Sequence, residues 1–154
     1  MDLSHRVAST VVLGVMLALL AGGCASGSSA LNPNSDKDLR KKQTSFYADA
    51  ITRSYPADAP RAGTAPMRAE VDYFLKVINS VNFADKPWTD VEVWVNGQYV
   101  CHLTHLPVKK QETINFRYLF DKGGMPAPSS GVWIKTLEVK YNGSLYTIPL
   151  FAAD

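Results

Sequence analysis

A chain of 154 residues has room for one ordinary domain and a single buried core. Its balance of 46% hydrophobic and 19% charged residues is that of a globular protein rather than a disordered or fibrous one. A formal net charge of +2 excludes the strongly basic surface that nucleic-acid binding requires.

The N-terminus has three parts: a short polar stretch ending at His5 and Arg6, an apolar run from Val7 to Leu20, and the small residues Ala21, Gly22 and Gly23 before Cys24. This is the order of a secretory signal. The apolar run is shorter than the roughly 20 residues that cross a hydrocarbon core, and two glycines interrupt it, so a membrane-spanning helix is not expected. The segment Leu20-Ala21-Gly22-Gly23-Cys24 resembles the lipobox of bacterial lipoproteins, although Ala21 stands where that family usually has leucine. The resemblance covers only the signal region. It implies removal of residues 1–23, a diacylglyceryl group on the Cys24 thiol, and commonly acylation of its new amino group. Two or three acyl chains hold a protein stably on a membrane, whereas one holds it marginally. Ala25, in place of aspartate, implies under the enterobacterial sorting rule that the outer membrane is favoured. The expected location is therefore the bacterial cell envelope, on its periplasmic or surface side.

If Cys24 carries lipid, Cys101 has no partner for a disulfide, since the chain has only two cysteines. Cys101 is read as a buried thiol acting as a small apolar residue. Residues 24–35 are small and polar, and read as a flexible tether. From Asp36 to Arg53, Leu39, Gln43, Phe46 and Ala50 fall near helical spacing, with Tyr47 and Ile51 widening the stripe; a short amphipathic helix is expected. Its basic residues Lys37, Arg40, Lys41 and Lys42 could touch anionic headgroups or a cell-wall polymer, or form a solvated face. Pro56, Pro60, Pro66 and Gly63 then make a linker without regular structure, so that residues 36–66 precede a β domain at 67–154.

From Ala69 the period becomes two. Val71, Tyr73, Leu75 and Val77 alternate with Asp72, Phe74, Lys76 and Ile78 as one strand. Asp90 to Val95, Asn96-Gly97, and Gln98 to Leu103 form a hairpin signal, because Asn and Gly tolerate the positive φ of a type I′ turn. Leu137 to Tyr141, Asn142-Gly143, and Ser144 to Ile148 repeat it. Between the hairpins, Ile114, Phe116, Tyr118 and Phe120 alternate as a further strand, ended by Asp121 to Gly124. About six strands with no long helix between them predict a mainly β fold, a small antiparallel sandwich preceded by a tether and a short helix. Its likeness to immunoglobulin-type sandwiches is architectural and carries no function.

A two-residue turn at Asn96-Gly97 sets Trp94 opposite Tyr99 and Val93 opposite Val100. Trp94, Tyr99, Cys101 and Leu103 then share one face and the valines the other. Trp88, Trp94 and Tyr99 are the candidate ligand contacts: an aromatic platform for a glycan if exposed, ordinary core if a helix or loop covers them. Cys101, His102 and His105 carry metal-ligating groups, but strand geometry sends them to different faces or far apart, so no metal is expected. No nucleophile elbow, zinc-protease motif or phosphate-binding glycine loop occurs. No catalytic residue and no cofactor is assigned. Two function classes remain: an envelope lipoprotein with a non-catalytic structural or protein-interaction domain, and a glycan-binding module.

Overall fold

The computed structural model describes residues 43–128, 130 and 132–152. It is mainly β. The helix α1 (Gln43–Ile51) is followed by β1 (Arg61–Thr64), β2 (Met67–Asp72), β3 (Val77–Asn82), β4 (Trp88–Val95), β5 (Tyr99–Leu106), β6 (Gln111–Asn115), a 3-10 turn (Phe116–Tyr118), β7 (Leu137–Tyr141), β8 (Ser144–Thr147) and β9 (Leu150–Ala152). The signal segment, the tether and the basic residues Lys37, Arg40, Lys41 and Lys42 lie outside the described residues.

Two sheets form the sandwich, one with five strands in the order β1-β8-β7-β4-β5 and one with four in the order β6-β3-β2-β9. Most neighbours are antiparallel, as alternation and tight turns dictate, but β1 lies parallel to β8 and β2 parallel to β9. Valines and isoleucines dominate the inner faces because branched side chains fill a pleated surface well. Val91, Val93 and Val95 of one sheet and Val71, Ile78 and Ile114 of the other belong to one buried core. Full burial of each such side chain contributes about 1.5–3 kcal/mol.

The strand count rises from about six to nine through the splitting of one expected strand and the addition of β1 and β9, and one further boundary also differs from the sequence reading. The single strand expected at 69–78 is a hairpin, β2 and β3. Asp72 Oδ1 accepts the Leu75 N–H at 2.7 Å, and Lys76 takes φ 57, so the chain reverses while its alternation continues through the turn. The proline-rich stretch supplies β1 at a sheet edge, where prolines beside a strand break no ladder. Its flanks still bond: Leu145 N–H donates to Pro60 O and Ala65 N–H to Thr147 O. The strand expected through Phe120 ends at Asn115, whose side chain accepts the Arg117 N–H and starts the 3-10 turn.

Helix α1 buries Phe46 and Ala50, as the spacing predicts. It ends where Thr52 Oγ1 donates to Asp49 O and where Tyr55 precedes Pro56, a position that disfavours helix. It packs on β5 and on the 3-10 turn, with Phe46 stacked on Tyr118 at 4.5 Å between ring centres.

Candidate functional site

The Asn96-Gly97 hairpin has the expected turn and a shifted register. Asn96 and Gly97 have φ 54 and 64, and Gln98 N–H donates to Val95 O, yet the first pair beyond the turn is Val95 with Tyr99. Gln98 thus adds a third residue to the loop, and every partner moves by one. Trp94 faces Val100, Val93 faces Cys101, Glu92 faces His102 and Val91 faces Leu103. Tyr99 consequently moves to the face of the valines, while Trp94 stays on the other side, as expected.

That other side is covered. Trp94 is 2% exposed, with Tyr55 meeting its ring edge-on at 5.5 Å. Trp88 is 5% exposed and stacks on Tyr141 with ring centres 4.4 Å apart, while Tyr99 is 9% exposed. The expected ligand-contact residues Trp88, Trp94 and Tyr99 therefore offer no open ring face for a sugar. All three are core: Trp94 lies on the face covered by the helix and the following loop, whereas Tyr99 lies on the valine face and Trp88 packs on Tyr141 and Tyr146.

Polar side chains converge on the same covered face in two groups. Glu92 takes three cationic or N–H partners: Trp94 Nε1–H at 3.0 Å, Lys140 Nζ at 3.0 Å and Arg53 Nε at 3.6 Å. Beside it, His102 Nε2 lies 2.7 Å from Asp90 Oδ1, which makes that nitrogen the donor, and His102 Nδ1 lies 3.7 Å from Asp49 of α1. In the second group Tyr55 donates to Glu138 Oε2 at 2.7 Å, and Arg61 bonds both Tyr55 Oη and Glu138 Oε1. Removal from solvent, and then the bond to Glu138, raise the Tyr55 pKa from its ordinary value. An open cleft of about 440 Å³ adjoins this group, lined by Tyr55, Trp94, Gly97, Gln98, Asp121 and Lys122 among others. Both groups lie between elements: Arg53 faces Glu92 of β4 and Asp49 faces His102 of β5 at 3.6 and 3.7 Å, beyond hydrogen-bond length, while Arg61 joins β1 to β7.

Cys101 is buried and faces Val93, and His102 projects to the opposite face beside Glu92. His105 lies opposite Thr89. Among the described residues no group of three or more His, Cys, Asp or Glu is placed to hold a metal ion.

The third tryptophan, which the sequence reading passed over, is the accessible one. Trp133 is 70% exposed and stacks on Tyr73 at 5.0 Å with nearly parallel rings. Phe74 and Leu75, next along the β2–β3 turn, are 92% and 61% exposed. The signal was present: Trp133 follows a stretch rich in proline, serine and glycine and belongs to no alternating run.

Among the described residues no helix is long and apolar enough to cross a membrane. Comparison of the chain with protein-family models, curated proteins and solved structures found no match in any of the three.

Proposed function

We propose that this chain is a lipoprotein of the bacterial cell envelope, tethered through lipid on Cys24, whose β domain is a non-catalytic structural or protein-contact module. The observation that carries the reading is the fixing of α1. This first described element after Cys24 is held to the sheet by buried Phe46 and Ala50 and by Asp49 and Arg53 facing His102 and Glu92. The helix lies on edge strand β5 and its flanking Arg53 reaches the neighbouring β4, so a load on the tether passes into this pair of strands. Of the polar groups that converge in the domain, the one around Glu92 and His102 faces α1 and the one of Tyr55, Glu138 and Arg61 joins β1 to β7.

Contact with another envelope protein is favoured over glycan, because the aromatic platform that a glycan needed at Trp88, Trp94 and Tyr99 is inside the protein. Cross-linking the full chain in its own envelope, followed by identification of the adducts, tests this. A reproducible protein adduct that survives Trp133→Phe supports the reading. A saturable change in tryptophan fluorescence on adding peptidoglycan fragments, with no protein adduct, would replace it with the glycan-binding alternative.

A further inference from the structure

The β2–β3 turn places Phe74 and Leu75 in solvent, side by side, at one end of the sandwich. Two adjacent large apolar side chains at this exposure are unfavourable in water, and the turn does not need them: its geometry comes from Asp72 and from the left-handed backbone at Lys76. Beside them stands the Tyr73–Trp133 stack. Basic residues Lys76, Arg117 and Lys135 share this end. Of its acids, Asp72 accepts the Leu75 N–H and Asp121 accepts the Met125 N–H, so both carboxylates are turned toward backbone donors. Apolar tips ringed by Trp, Tyr and basic groups match the chemistry of a membrane–water interface, where amphipathic rings sit at headgroup level.

A second, independent relationship concerns the tether. Phe116 N–H donates to Lys76 O, Phe116 meets Tyr73 edge-on, and two residues later Tyr118 stacks on Phe46 in the first half of α1. The chain coming from Cys24 thus enters the domain at the end that carries the tip. About eighteen residues lie between Cys24 and Gln43, a length that spans at most roughly 60 Å. A domain held that close to a bilayer meets it at high effective concentration, so even weak insertion is populated.

We propose that the Tyr73–Lys76 turn, with Trp133 beside it, seats in the surface of the bilayer that holds the Cys24 lipid and stands the sandwich on this end. The proposal deepens the anchored-module reading and rests on it, and it turns the Phe83 and Asn142 end outward to a partner.

The test uses the full lipidated chain in phosphatidylethanolamine vesicles with a minority of phosphatidylglycerol, made with or without bromine on the acyl chains. Trp133 is one tryptophan of three, and the other two are buried, so brominated lipid should remove up to about a third of the emission. Trp133→Phe should abolish that loss. Phe74→Ser with Leu75→Ser should reduce it while leaving the denaturation midpoint in place, since both side chains are exposed. Equal emission in both lipids, or a photo-cross-linker at position 74 that captures protein and no lipid, overturns the proposal. Mass analysis of the Cys24 peptide from the same sample judges the anchor separately: lipid on Cys24 without quenching sinks the tip alone, and quenching without lipid on Cys24 sinks the anchor alone.

Discussion

Tyr47 lies across Gly124: a β-carbon at position 124 would come within 2.1 Å of Tyr47 Cε2. Gly124 also has φ 79, which an L side chain rarely adopts. Gly124→Ala should therefore lift Tyr47 from the loop and loosen α1, destabilising the domain by about 1–3 kcal/mol. Chemical denaturation gives the loss, and faster proteolysis within Gln43–Ile51 locates it. An unchanged midpoint with α1 still protected would contradict this packing.

The two Asn-Gly turns separate strain from crowding. Gly143 has φ 76 and open space around it, whereas at Gly97 an added β-carbon would also touch the Tyr55 ring at 3.4 Å. Valine at either position should destabilise by about one to a few kcal/mol. Gly97→Val should cost the more of the two, and equal midpoints would contradict the placement of Tyr55 over that turn.

Asn82 is fully buried and joins the two sheets, donating from Nδ2 to Leu106 O at 3.2 Å and accepting the Ala84 N–H at 2.9 Å. Asn82→Ala leaves the buried Leu106 carbonyl without this partner, at a cost of about 1–3 kcal/mol, and frees the half-buried Ala84 N–H at a smaller cost. A midpoint shift no larger than that of an exposed control such as Asp58→Ala would contradict the assignment.

The bracket of Tyr55, Glu138 and Arg61 implies a limit at high pH. The Tyr55 pKa is raised on folding, first by removal from solvent and then by the bond to Glu138. The folded state thus holds the phenol proton more tightly than the unfolded chain does. The associated stability is fully present below the unfolded pKa of about 10 and is lost as pH rises through the higher folded value. Tyr55→Phe should be less stable than the parent at neutral pH by about 0.5–1.5 kcal/mol, with the gap narrowing above pH about 10. A gap that widens there would reverse the sign and refute the account.

How much of this was legible depended on where the alternation of residues carried unique information. The Asn142-Gly143 hairpin follows its sequence closely, with Tyr141 opposite Ser144 across a two-residue turn. The Asn96-Gly97 hairpin shows the limit, since its turn dipeptide was readable and the extra loop residue Gln98 was not. That one residue moved Tyr99, Cys101 and Leu103 onto the valine face and left Trp94 where it was expected. The reversal at Tyr73–Lys76 was hidden because apolar and polar residues keep alternating through it. Strands β1 and β9 are short edge pieces defined by parallel partners far away in sequence, Leu145 and Ala69 among them, which no local period reports. The braces on α1 were equally invisible, because Glu92 and Arg53 meet only when the helix lies on the sheet. Trp133 could have been found, as a tryptophan outside any patterned segment.

The most direct test of the anchored-module account is the mass of the N-terminal peptide of the membrane-bound protein. The account predicts a peptide that begins at Cys24 and carries a diacylglyceryl group on the cysteine sulfur. Recovery of Cys24 unmodified, or of residues 1–23 still joined to it in the mature protein, would contradict it.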